Sequence, residues 1–305
     1  MKKVLVIVGP TAVGKTALSI ELAKKFDGEI ISGDSMQIYQ GLDIGTAKVS
    51  QEEMAGVPHH LIDIRQIQET YSVAEFQQEG RKKIEEITAR GHLPIVVGGT
   101  GLYIQALLHD YQLGTEKEAD TAVREKYIRY AEKNGNQQLW MLLQEKDPVA
   151  AEKIHANNQR KVIRALEVLE LTGKSITQET PPPKLYDYFL IGLTTKRERL
   201  YQRINQRVDL MMTTGLIQEA ERLRDFPEVQ AAKGIGYQEF FPYFSGRGTL
   251  EEVAEEIKLH SRRYAKRQLT WFRNRMTPVW VDLIEEPALK SSLEKEVAEW
   301  LEEKK

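Results

Sequence analysis

The chain has 305 residues, enough to bury a sizeable core and, by length, to form about two domains. With 41% hydrophobic and 29% charged residues and a net charge of −2, it reads as an ordinary soluble globular protein, not a uniformly basic nucleic-acid binder. It has no cysteine, which excludes disulfides, thiolate chemistry and Cys-ligated zinc. The opening apolar run is too short for a signal segment and no stretch reaches membrane-spanning length, so the chain is expected in the cytoplasm with no membrane partner.

The first predicted strand, VLVIV (4 to 8), runs into GPTAVGKT and then a helical pattern, the context required of G-x-x-x-x-G-K-[ST]. Gly9, Pro10, Thr11, Ala12, Val13, Gly14, Lys15 and Thr16 therefore form a candidate polyphosphate site. Loop amides and the positive helix end cradle phosphate oxygens, Lys15 adds a mobile charge, and the Thr16 hydroxyl can hold magnesium. Whether the ligand is ATP or a diphosphate is left open by this motif alone.

EIIS (29 to 32) is the second strand, and it ends in GDSMQ, which places Asp34 at the carboxyl edge beside the loop. An acid there can hold magnesium, take a proton from an acceptor, or merely begin a turn after Gly33. HLIDI (60 to 64) reads as a third strand, with Asp63 as an alternative metal acid. His59 and His60 would point to opposite faces of a strand and cannot share one metal, so they are assigned structural roles. After the helical run SVAEFQQEGRKKIEEITARG comes PIVVGG (94 to 99), which ends in two glycines and Thr100 where a P-loop ATPase usually has a magnesium-binding Asp. That departure disfavours ATP hydrolysis, the glycines admit a close substrate, and Thr100 offers a hydroxyl.

From about Tyr111 to Leu185 only helical periodicity is present, in TAVREKYIRYAEK, NQQLWMLLQEK and DPVAAEKIHANNQRKVIRALEVLELTGK, closed by Gly173 and TPPPK. Arg160, Lys161 and Arg164 share a helix face there, and Arg199, Arg203 and Arg207 form a second stripe further on. Each group is either a solvated face or a surface for an anion. YFLIGL (188 to 193) and PVWVDL (278 to 283) complete the strands. The alternation of strand and helix implies an α/β fold with a P-loop parallel sheet and helices on both faces. The core is assigned to 1–110 and 186–305 and an all-helical insertion to 111–185, which would overhang the carboxyl edge where ligands of open α/β sheets bind.

Between Ile257 and Val281 no acid occurs, while Lys258, Arg262, Arg263, Lys266, Arg267, Arg273 and Arg275 do. This is either a charge gradient suited to a helix macrodipole or, with Tyr264, Trp271 and Phe272, a phosphate-binding and stacking surface for nucleic acid. Tyr39 and the aromatics around Tyr237 in GIGYQEFF suit packing, although Tyr237 is kept among the RNA-facing candidates.

Together GPTAVGKT, DSMQIYQGLDIGTAK, PHHLID, GGTGLYI, NNQRKVIRALEVLELTGKS, RVDLMMTTGLIQEA, GIGYQE and YAKRQLTWFR resemble the bacterial tRNA dimethylallyltransferases, in order from about Val4 to Arg273. The resemblance implies that the loop holds the diphosphate of dimethylallyl diphosphate and that pyrophosphate is the leaving group. It implies Asp34 as general base, with Lys15, Thr100 and Arg207 in the catalytic set and Arg207 on the pyrophosphate. It implies magnesium as cofactor, with Thr16 as its protein ligand, and a tRNA anticodon stem-loop as partner. The tRNA-facing positions it implies are Asp34, Ser35, Met36, Gln37, Thr100, Arg124 and Gln159, Arg160, Lys161, Val162, Ile163, Arg164. Tyr237, Arg263 and Arg267 are added to that group, Arg263 and Arg267 as part of the basic clamp. The zinc-finger region of eukaryotic relatives is missing, consistent with the lack of cysteine. Two other readings compete: a P-loop kinase acting on a small alcohol, and a non-catalytic RNA-binding regulator gated by nucleotide. Nothing in the sequence demands more than a monomer.

Overall fold

The computed structural model describes residues 1–111, 118–178 and 182–303. Among them six strands, β1 (Lys3–Val8), β2 (Gly28–Ser32), β3 (His59–His60), β4 (Leu93–Gly98), β5 (Asp187–Leu193) and β6 (Val279–Val281), make one all-parallel sheet in the order β3-β2-β4-β1-β5-β6. The helices in chain order are α1 (Lys15–Lys25), α2 (Gln51–Met54), α3 (Val73–Ala89), α4 (Gly101–Leu108), α5 (Glu118–Lys146), α6 (Pro148–Lys153), α7 (Gln159–Thr172), α8 (Arg197–Thr213), α9 (Leu216–Glu221), α10 (Phe240–Phe244), α11 (Leu250–Arg275) and α12 (Leu289–Glu302). No helix among the described residues is long and apolar enough to cross a membrane.

β1 shows why the sheet is buried on both sides. Successive side chains of a strand point to opposite faces, and here both sets are apolar. Val4, Val6 and Val8 join Ile31, Val96, Phe76 and Ile84 in one core. Leu5 and Ile7 join Ile30, Ile95, Leu18, Leu22 and Val297 in the other. Such near-continuous apolar strands belong to parallel sheets covered by helices on both faces.

Of the predicted strand HLIDI only His60 lies in a strand, β3 being His59–His60. Leu61 and Asp63 both take positive φ, 61° and 54°, so the chain turns immediately after the pair. Asp63 is ion-paired with Lys48 at 2.5 Å, and Lys48 also pairs with Asp43 at 2.6 Å. The Asp63 carboxylate is thus engaged by a lysine. His60 Nε2 meets the buried Glu29, which also takes two bonds from Arg90, so the histidine pair is structural as expected.

The chain divides into two compact units, Met1–Tyr111 with Lys184–Lys305, and Gln112–Pro183. In the second unit α5 is interrupted at Gly135, where a φ of 81° breaks the helix. The run read as one helical pattern from 147 to 174 is two helices, because Asp147 caps α6 and Asn158 caps α7. Gly173, at φ 68°, ends α7 in the left-handed conformation glycine favours. Tyr127, Leu139, Leu143, Val162 and Leu166 form this unit's core. Residues 180 and 181 of the TPPPK return lie outside the described residues.

Candidate functional site

The site begins with strand order. β4 lies between β1 and β2, with Val8 opposite Gly98 and Ser32 opposite Val97, so the turns after all three strands emerge side by side. They carry the P-loop, Gly99-Thr100 and Gly33-Asp34. The Gly33 N–H donates to the Val97 carbonyl at 2.7 Å, and a Cβ on Gly98 would strike the Gly33 backbone. This approach requires glycine and leaves no room for the acid of an ATPase strand.

The loop winds through positive φ at Gly9 (148°), Ala12 (64°) and Gly14 (100°) into the first turn of α1. Lys15 Nζ donates to the Pro10 carbonyl at 2.7 Å. Burial lowers the Lys15 pKa to about 8, Asp34 pushing it back up and Arg207 pressing it further down. Arg207 NH1 donates to Thr11 Oγ1 at 3.0 Å, and burial lowers its pKa too, again opposed by Asp34. Arg203 Nε donates to the Ala12 carbonyl at 2.8 Å. The predicted arginine stripe therefore divides: Arg203 and Arg207 reach the loop, while Arg199 bonds Gln202 on its own helix at 3.1 Å.

Asp34 accepts from the Met36 N–H at 2.8 Å, and Thr100 Oγ1 accepts from the Ser35 N–H at 3.3 Å. Asp34, Ser35 and Met36 line a cavity of about 360 Å³ with Thr11, Arg207, Tyr264 and Arg267. Gln37 is turned away from it, accepting from Ser32 Oγ and donating to the carbonyls of Thr46 and Ala47. A larger cleft of about 900 Å³ runs along residues Ala12 to Thr16, Lys48, Arg203 and Leu210. Arg207 and Met211 line both spaces.

Among the described residues no three His, Cys, Asp or Glu side chains cluster as a metal site. Magnesium commonly keeps several waters and is held by one or two carboxylates plus substrate phosphates. Thr16, exposed in the first turn of α1 on the cleft that follows the loop, offers a hydroxyl of the kind that fits such an ion arriving with a phosphate ligand.

α11 supplies what sequence reading missed. Its Thr249–Glu252 capping box starts the helix, and its buried face carries Val253, Ile257, Ala265, Gln268 and Phe272. The Gln268 amide donates to the Gly99 carbonyl and accepts from the Thr11 N–H, both at 3.0 Å. Tyr264, whose pKa rises to about 12 mainly through burial and secondarily through Asp34, forms part of the cavity wall. Phe272 is fully buried and so is a core residue, not a stacking surface. The basic residues also separate: Lys258 pairs with Asp209 at 2.6 Å and Arg262 bonds Asn205 at 2.6 Å, whereas Arg263, Lys266 and Arg267 are exposed.

Glu219 is a second residue that sequence reading missed. It is buried and accepts from the N–H groups of Asp43 (2.6 Å), Ile44 (2.9 Å) and Gly45 (2.8 Å) and from the Tyr237 hydroxyl (2.7 Å). Tyr237 is 1% exposed, its pKa raised by burial and then by Glu219, so it packs the wall and reads no ligand. Only the contact of DIGTAK with GIGYQE explains Glu219, and no local signal announces that contact.

In the second unit Val162 and Ile163 are buried in the core and offer no side chain to a ligand. Arg160, Lys161 and Arg164 are exposed beside them, and Gln159 is half-buried. Arg164 pairs with Glu167 at 2.9 Å, and Arg124 approaches the same carboxylate at 3.5 Å.

Residues 37–275 match the model of the family described as IPP transferase. The chain is 64% identical to a tRNA dimethylallyltransferase of Enterococcus faecalis, covering 100% of this chain and 99% of that one. Another, of Limosilactobacillus fermentum, is 53% identical, with 99% of each covered. Among solved structures, the full-length tRNA isopentenylpyrophosphate transferase of Bacillus halodurans is 48% identical with a TM-score of 0.77, covering 99% of this chain and 97% of that one. A eukaryotic dimethylallyltransferase solved acting on tRNA is 32% identical with a TM-score of 0.81, covering 97% of this chain and 78% of that one.

Proposed function

The chain belongs to the IPP transferase family and is a prenyl-transferring enzyme of tRNA; on that premise we propose how its residues divide the reaction. The diphosphate of dimethylallyl diphosphate lies on the P-loop, and the adenosine that follows the anticodon places its exocyclic amine at Asp34. The amine nitrogen bonds to the allylic carbon as the carbon–oxygen bond breaks, pyrophosphate leaves with the electron pair, and the amine proton passes to Asp34. An ordinary carboxylate is too weak to deprotonate a free amine, so the transfer occurs as the new C–N bond makes that amine acidic.

Charge growing on the leaving group is met by the loop amides, Lys15 and Arg207, preorganised electrostatics being the largest usual contribution to catalysis. Magnesium, held by Thr16 and the diphosphate, would supply further charge neutralisation there. Thr100 holds the Asp34-Ser35 turn through its bond to the Ser35 N–H. Reaching the amine requires an unstacked base, which costs least in a single-stranded loop. Arg263, Lys266 and Arg267, exposed on α11, would hold phosphates of the stem-loop. Loop, base and arginine all come from one chain, so a monomer working in the cytoplasm suffices.

The observation that carries this reading is geometric. Asp34 lines one cavity with Thr11 and Arg207, and Arg207 also lines the cleft that holds Lys15, so base and leaving-group cradle share one region. The end of β4 has no acid of the kind an ATP-hydrolysing strand carries, since Gly98 and Gly99 are packed against Gly33 and Gln268. The test is to incubate the protein with magnesium, unmodified tRNA and either dimethylallyl diphosphate or ATP, then digest and weigh the nucleosides. One dimethylallyl group on the adenosine beside the anticodon, with ATP inert, is the expected result. Phosphate transfer from ATP without any nucleoside change would overturn it.

A further inference from the structure

Gln268 is a polar side chain on a helix face that otherwise serves the core. It lies between Ala265 and Phe272, both fully buried, and is itself only 5% exposed. Burying an amide is costly unless both ends are bonded, and here both are: Nε2 to the Gly99 carbonyl and Oε1 to the Thr11 N–H. Gly99 makes the space, since a Cβ there would strike the Gln268 amide.

The consequence falls on the P-loop. Such a loop grips phosphate through backbone N–H groups aimed at the ligand. In this chain the Thr11 N–H is bonded to Gln268, and the Thr11 hydroxyl is taken by Arg207. The entry half of the loop is thus tied to α11 and α8, while the amides from Val13 to Thr16 lead into α1. We propose that Gln268 is a specificity-determining residue that withholds the Thr11 N–H and so fits the loop to two phosphates rather than three. This rests on the loop holding a diphosphate.

The test measures dissociation constants of inorganic pyrophosphate and inorganic tripolyphosphate by calorimetry with magnesium, for the unaltered protein, Gln268→Leu and Gln268→Glu. The unaltered protein is expected to prefer pyrophosphate. In Gln268→Leu the freed N–H should shift the ratio toward tripolyphosphate by roughly tenfold, the effect of one hydrogen bond to a charged group. Gln268→Glu still accepts from Thr11 and should keep the original ratio even if both affinities fall. If Gln268→Leu does not fold, Gly99→Ala, which displaces the same amide, should shift the ratio in the same direction. An unchanged ratio, including equal weakening of both ligands, would make Gln268 a structural tie only and overturn the proposal. A protein that prefers tripolyphosphate from the start would overturn it as well. Failure of pyrophosphate to bind the unaltered protein would instead bring down the diphosphate reading of the loop.

Discussion

Asp34 and Lys15 are the two residues whose chemistry can be separated by experiment. Asp34→Asn keeps an acceptor for the Met36 N–H but has no base, so kcat should fall about 100-fold or more. Pyrophosphate should still bind, since the loop, Lys15 and Arg207 remain. Unchanged turnover would remove Asp34 from the base role. Lys15 predicts a pH dependence. Its pKa of about 8 in the free protein means that the charge is lost as pH rises through that value, and a bound diphosphate must restore it. Pyrophosphate affinity should therefore weaken above about pH 8, by up to about tenfold per unit. Lys15→Arg, which does not titrate there, should lack this component, and equal slopes in both proteins would assign the effect to the ligand. Because the folded pKa is depressed, Lys15 costs stability below about 8, and that cost fades as pH rises toward the ordinary value of 10.5.

At the level of elements, α11 is at once core helix, site wall and basic surface. Neutralising one side chain that binds an RNA phosphate should reduce the salt slope of tRNA affinity by about one unit. Arg263→Gln and Lys266→Gln are expected to do so, while Lys258→Gln should leave the slope nearly unchanged, since that lysine is committed to Asp209 and Glu255. Filter binding across salt concentrations would measure all three, and equal reductions of the slope would return the helix to a uniformly basic clamp. The turn from Asp43 to Gly45 depends on Glu219 in the same structural sense. Glu219→Ala leaves three backbone donors and the Tyr237 hydroxyl without their acceptor, and should cost about 3 kcal/mol in urea unfolding. A cost under about 1 kcal/mol would show that water replaces the carboxylate and that the turn holds itself.

For the whole molecule, ligand and stability are linked. Pyrophosphate at about 100 times its dissociation constant should stabilise the folded chain by about 2.7 kcal/mol. The urea midpoint should rise accordingly, and Lys15→Ala should abolish most of that rise at the same concentration. A shift that survives Lys15→Ala would place the anion somewhere other than the P-loop.

Much of this protein was legible because its signals are local. Strand–loop–helix spacing identifies GPTAVGKT, an uninterrupted apolar run identifies β1 as a buried strand, and Gly173 marks a helix end, all within a few neighbouring residues. The sequence also placed Asp34 beside the loop, because a strand end and its turn residues are contiguous. HLIDI has strand-like composition yet turns after its first residue, since apolar composition does not report the positive φ at Leu61 and Asp63. The basic run of α11 could not be divided between tied and exposed charges, because Asp209 and Asn205 lie on another helix. The bond from Thr11 to Gln268 spans 257 positions, and that from Gly45 to Glu219 spans 174. Local apolar runs and motif spacing determined the sheet, the loop and the place of Asp34 at a strand end. Only the packed chain decided which buried polar groups hold them in place, because a buried amide or carboxylate is satisfied by partners that the fold, not the neighbouring sequence, brings within reach.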